Sequence, residues 1–140
     1  METNRLQYRL FLDTENGSFL GDTRVRLLEA IESYGSITKA AKSVGLSYKA
    51  AWEQVDSINR QSTELVVNRL TGGSNGGGSS LTPYGLRLVA FYRAVEWDHQ
   101  TAIEELALHL RSGTDPCCFR YLLRKRAIGR GPQLSQNISE

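Results

Sequence analysis

The stretch from Gly35 to Arg60, GSITKAAKSVGLSYKAAWEQVDSINR, constrains the fold of this chain more than any other segment. Ser36 is a suitable N-cap for a first short helix, and Ser47 is a suitable N-cap for a second. Between them, Gly45 can take the positive φ that a tight turn requires, because it has no Cβ. A pair of alanines in the first helix lets the two helix axes cross closely. The segment therefore predicts a helix-turn-helix, whose second helix fits the major groove of DNA.

The spacing of apolar residues predicts which sides of these two helices face the core. The inward residues are Ile37, Ala40, Ala41 and Val44 in the first helix and Ala51, Val55 and Ile58 in the second. Trp52 has the same periodicity and is expected in the core, whereas Tyr48 lies close enough to the helix start for its hydroxyl to reach a phosphate. The side that faces outward is expected to carry Lys49, Ala50, Glu53, Gln54 and Ser57.

Side-chain chemistry suggests what the outward residues could recognise. Gln54 can pair with adenine, Glu53 can accept a hydrogen bond from cytosine, and Lys49 can donate either to guanine or to a phosphate alone. Residues at the start of the first helix and on the basic positions around it are candidates for phosphate contacts, which set register without reading sequence. The complete set of expected DNA contacts is Ser36, Thr38, Lys39, Lys42, Ser47, Tyr48, Lys49, Glu53, Gln54, Arg69, Ser74 and Asn75.

A β-hairpin and a helix are expected before the helix-turn-helix. Residues 6–13 alternate apolar and polar side chains as a half-buried strand would, and a turn at residues 15–17 leads to a short second strand at Phe19–Leu20. Asp22 is a candidate N-cap for a helix that ends near Tyr34. Its apolar face would pack under the helix-turn-helix and complete a three-helix core.

After Arg60 the pattern changes to that of a strand. The β-branched run at residues 65–70 is followed by TGGSNGGGSS and then by Leu81-Thr82. A glycine-rich hairpin directly after a recognition helix is typical of the wing of a winged helix domain, although a simple flexible loop would have the same composition. A nucleotide-binding P-loop is excluded, because the glycines are not followed by Gly-Lys-Ser/Thr and no helix opens directly after them.

A long helix is expected to start at Thr82-Pro83, with threonine as N-cap and proline in the first turn, and to run to about Leu110. A helix of this length cannot bury both ends in one small domain, so we expect it to form a homodimer, unless it breaks near residues 98–100 and folds back. The residues expected in the dimer interface are Leu86, Val89, Ala90, Arg93, Trp97, Ile103, Leu106 and Leu110.

Composition adds limits to this interpretation. The net charge is +2, but residues 36–70 carry five basic and three acidic groups, and residues 111–140 carry six and two. Local positive charge of this kind suits a nucleic-acid partner. No apolar run is long enough to span a membrane, no secretory signal is present, and the adjacent Cys117 and Cys118 do not suggest a disulfide framework, so a cytoplasmic protein is expected. The expected divisions are a winged domain over 1–82, a dimerisation helix over 83–111 and a basic, partly disordered tail over 112–140.

Four motifs in order carry a resemblance to a known family. GSITKAAK, SYKAAW, RLTGGSNGGG and LTPYG resemble the DNA-binding domain of ModE-type, molybdate-responsive transcription regulators, which is itself similar to the winged helix domain of LysR-type regulators. The resemblance covers roughly residues 20–97. It implies a dimer that binds operator DNA, and it departs in the wing, where Ser74 or Asn75 stands in place of a lysine common in the family.

The resemblance implies no molybdate site in this chain, because only about thirty residues follow the long helix where the family has molybdate-binding β-barrels. We therefore expect no cofactor, no metal site and no bound molybdate. The fold class expected is mainly α (α+β): a winged helix-turn-helix with an N-terminal β-hairpin, a glycine-rich wing and a long C-terminal dimerisation helix. The expected function is transcription regulation through double-stranded DNA. The alternative is a winged helix that serves as a protein-interaction adaptor, and no nucleophile–base motif suggests an enzyme.

Overall fold

The structure, a computed structural model, describes residues 6–70 and 78–111, the last three without their side chains. In chain order the elements are β1 (Leu12–Thr14), β2 (Gly17–Leu20), α1 (Asp22–Tyr34), α2 (Ile37–Ser43), α3 (Tyr48–Gln61), β3 (Val67–Arg69), β4 (Ser79–Leu81) and α4 (Pro83–Arg111). Residues 7–100 form one unit, and α4 from Thr101 onward belongs to a second. The fold is the expected winged helix-turn-helix with two small antiparallel hairpins.

The first hairpin is shorter than the sequence predicts. The strand expected over residues 6–13 is limited to β1, which pairs antiparallel with β2. Residues before β1 are bound to α4 instead: the Tyr92 hydroxyl of α4 donates to the Leu10 carbonyl at 2.9 Å, and the Tyr8 hydroxyl donates to the Glu96 carbonyl of α4 at 2.8 Å. The alternating pattern therefore belongs to an extended segment that packs on a helix, and only its end forms a strand.

The helix caps follow local sequence, with one correction. The Ser36 Oγ accepts a hydrogen bond from the Lys39 N–H at 3.4 Å, the Ser47 Oγ accepts one from the Ala50 N–H at 3.1 Å, and Gly45 has a φ of 74°. These three predictions are confirmed. Asp22, however, is the first residue of α1 rather than its N-cap, which is Gly21. Phe11 packs against Gly21, where an added Cβ would lie 3.0 Å from the Phe11 ring.

The core lies between α1, α2, α3 and the first half of α4, with the two hairpins at its edges. Helix α1 completes the expected three-helix core, and Tyr92 of α4 is only 1% exposed. The largest fully buried side chains are Tyr92, Leu20, Leu27, Leu28, Ile31, Ile58, Val25, Val55, Val66 and Val67. Burial of apolar surface on this scale is the main stabilising contribution in a domain of this size.

Helix α4 begins as predicted and continues without a break. The Thr82 Oγ1 accepts a hydrogen bond from the Gly85 N–H at 2.9 Å, which caps the first turn. The helix runs through residues 98–100 to Arg111, so the alternative of a broken helix is excluded. A Cβ added at Gly85 would lie 2.3 Å from the Val66 carbonyl oxygen, so α4 and the segment before β3 approach as closely as glycine permits.

The residues expected in a dimer interface occupy different environments on α4. Val89 packs against the core and Arg93 forms ion pairs within the chain, so neither lies on an open face. Leu86 and Trp97 are 46% and 73% exposed, and Ala90 is exposed as well. Ile103 and Leu106 are half-buried, and the side chain of Leu110 lies outside the described residues.

Arg93 links α4 to α1 through a network of carboxylates. Its guanidinium donates two hydrogen bonds of 2.8 Å to the two oxygens of Glu29 and one of 2.6 Å to Glu96, and it lies 3.5 Å from Asp22. This fork geometry is the one for which arginine is suited. The hydrogen bond from Arg93 lowers the pKa of Glu29 below its ordinary value, although partial burial of the carboxyl opposes this shift.

This network predicts a pH-dependent part of the stability. Because the folded-state pKa of Glu29 is lowered, its contribution is fully present above the ordinary value of 4.5 and is lost as the pH falls through the lowered pKa. We expect Glu29→Gln to cost about 1 kcal/mol or less of unfolding free energy near neutral pH, because the pair is partly solvent-screened. Urea unfolding should show that the difference from the wild type shrinks as the pH falls towards about 3. A difference that stays constant with pH would contradict the assignment.

No helix within residues 6–70 and 78–111 combines the length and the apolar character that a membrane crossing would need.

Candidate nucleic-acid interface

The outermost ridge of α3 carries a charged pair at its N-terminal end. Lys49 and Glu53 are 87% and 67% exposed, and the Lys49 Nζ lies 3.9 Å from a Glu53 carboxylate oxygen. They are four residues apart and therefore share one side of the helix. Ser47 orients this end by capping the first turn. The two side chains expected to face base edges thus stand together on an open surface of the second helix of the helix-turn-helix.

Gln54 and Ser57 lie on a flank of α3 rather than on that ridge, which corrects the outward position expected from helical spacing. The Gln54 Oε1 is buried without a hydrogen-bond partner among the described residues, and the side chain borders an open cleft of about 820 Å³. The Ser57 Oγ accepts hydrogen bonds from Gln61 at 2.9 Å and from Arg24 at 3.4 Å. The β1–β2 hairpin and the start of α1 cover this flank, so helical periodicity alone could not reveal its position. DNA contact by Gln54 remains a prediction.

The opposite flank of α3 corrects the expectation that Trp52 is part of the core. Trp52 is 38% exposed, and its ring is covered on one face by the Arg69 guanidinium, whose central carbon lies 3.9 Å from the ring centroid. Tyr48, one turn earlier, is 54% exposed and so is available to a phosphate. The flank is covered by β3 rather than by a third helix, which leaves these aromatic side chains at the surface.

Helix α2 presents its polar residues to solvent beside α3. Thr38, Lys39 and Lys42 are all exposed, and the Ser36 hydroxyl oxygen is occupied by the cap to Lys39 while its hydrogen remains able to donate. These positions suit contacts to phosphates, which are made mostly by lysine, arginine, hydroxyl groups and backbone N–H groups.

The wing hairpin is attached to both α3 and α1. The Asn59 Oδ1 accepts hydrogen bonds from the N–H groups of Val66 and Val67, and its Nδ2 donates to the Val67 carbonyl. The carbonyl of Gly35 accepts from the Ser79 N–H at 2.9 Å. Strands β3 and β4 are therefore the base of a wing held beside the recognition helix. Ser74 and Asn75, the wing residues expected to contact DNA, lie outside the described residues.

Several residues that position the interface were not identified from the sequence. Besides Asn59, Glu32 of α1 accepts a hydrogen bond from the Leu81 N–H at 2.9 Å, and Arg24 donates to the carbonyls of Ser18 and Phe19. Burial lowers the pKa of Arg24 from its ordinary value. Glu32 and Leu81 are 49 residues apart, and a polar residue on a helix carries no linear signal of such a partner.

Comparison with known proteins agrees with this geometry. The model of the bacterial regulatory helix-turn-helix proteins of the lysR family matches residues 23–86. The chain is 47% identical over 130 residues to the "Molybdenum transport protein ModE" of Azotobacter vinelandii, an alignment that covers 91% of this chain and 48% of that protein.

Two further relatives are described as regulators. The "Transcriptional regulator ModE" of Yersinia pestis is 41% identical, over 74% of this chain and 36% of that protein. The "DNA-binding transcriptional dual regulator ModE" of Escherichia coli K12 is 39% identical, over 75% and 37%. The chain thus spans less than half the length of these relatives. Residues 23–86 thus match the LysR-type family of bacterial regulatory helix-turn-helix proteins, and the chain is similar to ModE regulators over part of their length.

Proposed function

We propose that this chain is a sequence-specific transcription regulator that places α3 in the major groove of operator DNA. The observation that carries the proposal is the open ridge of α3, where Lys49 is 87% exposed at the N-terminal end of the helix. In a helix-turn-helix, that end is the part that meets base edges. Exposed Lys39 and Lys42 on α2 and the wing beside α3 would contact the phosphates on either side.

Selection of bound sequences from a random DNA duplex pool tests this proposal. We expect one sequence to be enriched, and the binding constant on it to fall steeply with salt, by about 0.9 log units per log unit of salt for each phosphate neutralised. If no sequence is enriched and binding is absent or indifferent to salt, the proposal fails and the alternative, a protein-interaction adaptor, is favoured.

We propose further that the regulator is a homodimer. In the part of α4 up to residue 100, the apolar side chains of Leu86 and Trp97 are 46% and 73% exposed, and their spacing of about three helical turns places them on nearly the same side of the helix. Large apolar side chains that recur along one exposed helix indicate an association surface. A second copy of this chain is the natural occupant, because a dimer would present two recognition helices to two half-sites.

The dimer proposal predicts that charge on this face weakens association. Light scattering at micromolar concentration should give the wild type twice the mass of one chain, which is 15.6 kDa. Leu86→Glu should shift the mass towards that of one chain, because a carboxylate would be buried unpaired in the interface. Its neighbour Arg87 is also exposed, and Arg87→Gln serves as the control that should leave the mass unchanged. A monomeric wild type would contradict the proposal.

Three narrower expectations complete the proposal. We expect the regulator to act in the cytoplasm, where bacterial DNA lies. We expect it to have no enzymatic activity, and we do not expect molybdate to bind this chain. Calorimetric titration with molybdate tests the last expectation, and measurable heat of binding would contradict it.

A further inference from the structure

The last residue of β3, Arg69, lies against two side chains of the recognition helix. The central carbon of its guanidinium is 3.9 Å from the centroid of the Trp52 ring, and one terminal nitrogen is 3.6 Å from an Asp56 carboxylate oxygen. Trp52 and Asp56 are four residues apart on α3 and therefore present one continuous side to the strand. A single side chain of the wing thus spans a full turn of α3.

Burial and charge separate Arg69 from the lysines that face solvent. The Arg69 side chain is 27% exposed, compared with 87% for Lys49. One face of its guanidinium is covered by the indole, and its charge is opposed by Asp56, which also pairs with Arg60 at 3.1 Å. The stacked face of Arg69 is closed to a phosphate, and a phosphate that approached its edge would compete with Asp56. Planar stacking combined with a carboxylate pair is an arrangement that arginine makes and lysine does not.

The position of Arg69 along the wing gives this contact its importance. Asn59 attaches the wing at Val66 and Val67, at the base of β3. Arg69 is two residues further out, and among the described residues it is the attachment to α3 closest to the wing tip. Further out, the Leu70 N–H donates to the Gly78 carbonyl at 2.8 Å.

We propose that Arg69 is a positioning residue that fixes the wing against the recognition helix by stacking on Trp52 and pairing with Asp56, and that it does not contact DNA. Its effect on DNA binding rests on the function proposed above. The role replaces the phosphate contact that the sequence suggests for Arg69.

The attachment can be tested without DNA by amide hydrogen exchange. Arg69→Ala should accelerate exchange at the Leu70 amide by about tenfold, because the outer part of the hairpin would open locally. Arg60→Ala is the matched control: it removes the other cation that pairs with Asp56 but is 73% exposed and belongs to α3 itself. Arg60→Ala should leave the exchange rate of the Leu70 amide unchanged. Equal exchange in the wild type and in Arg69→Ala would overturn the proposed attachment.

A second measurement separates positioning from phosphate contact. On the duplex selected by the wild type, Arg69→Ala and Arg69→Lys should both weaken binding by about tenfold while the salt slope stays that of the wild type. Lys39→Ala should instead lower the slope by about 0.9. Asp56→Ala should lower the preference for the selected over a scrambled duplex, and the loss in the double variant Asp56→Ala/Arg69→Ala should be smaller than the sum of the two single losses, because both changes remove the same ion pair.

One result would show that Arg69 contacts a phosphate instead. If Arg69→Ala lowers the salt slope as Lys39→Ala does, and Arg69→Lys restores it, Arg69 is a phosphate contact and the inference is overturned. If the wild type selects no duplex, the proposed function fails, and the exchange measurement alone decides whether Arg69 holds the wing.

Discussion

Gly85→Ala should lower the free energy of unfolding by about 3 kcal/mol. The added Cβ would lie 2.3 Å from the Val66 carbonyl oxygen. That oxygen cannot move away freely, because it accepts a hydrogen bond from the Thr82 N–H at 2.9 Å, and the Thr82 hydroxyl donates to the adjacent Leu65 carbonyl at 2.6 Å. Either the helix start or the wing base must shift. In an ordinary helix the same change would stabilise the protein by about 1 kcal/mol, so the expected sign is reversed.

Urea unfolding followed by circular dichroism measures this effect. Ala94→Gly provides the control on the same helix, because Ala94 is exposed, is not among the residues expected in the dimer interface, and loses only helix propensity, about 1 kcal/mol. A Gly85→Ala variant as stable as the wild type would show that α4 and the segment before β3 do not approach each other as described.

Lys49→Ala should weaken binding to the selected duplex by about 1–3 kcal/mol and change which sequence is preferred. Lys49 is the most exposed cation of the α3 ridge, and its partner Glu53 is held only by a 3.9 Å contact that DNA could replace. A bidentate contact to guanine would lose both its hydrogen bonds in the variant. Competition between the selected and a scrambled duplex measures the loss of discrimination.

Lys42→Ala serves as the comparison, because Lys42 is exposed on α2 and is expected to neutralise a phosphate. Lys42→Ala should weaken binding to both duplexes alike and lower the salt slope by about 0.9. If Lys49→Ala behaves in the same way, Lys49 contacts phosphate alone. If it binds both duplexes as the wild type does, the ridge is not the surface that meets DNA.

The parts of the fold that the sequence predicts correctly are those that depend on neighbouring residues. The caps at Ser36 and Ser47 and the turn at Gly45 each involve contacts within a few positions, so residue type alone indicates them. The hydroxyl of Thr82 caps α4 for the same reason.

The errors arise where the covering element is distant in the chain. Trp52 has the spacing of a core residue, but the neighbour on that flank is Arg69 of a short strand, which leaves the indole 38% exposed. Residues before β1 alternate as a strand does, but their partners on α4 are the Tyr92 hydroxyl and the Glu96 carbonyl. Periodicity describes a residue's own helix or strand and contains no information about what lies opposite.

The buried position of Tyr92 determines how much of this chain must stay together for the winged domain to fold. Tyr92 belongs to α4, which follows the wing in the chain. The Tyr92 hydroxyl donates to the carbonyl of Leu10, which precedes the first strand. A fragment cut at residue 82, where a boundary is expected from sequence, would expose the underside of the core and free its own N-terminal segment. We therefore expect the smallest fragment that folds to extend to about residue 100, the end of the unit that contains Tyr92.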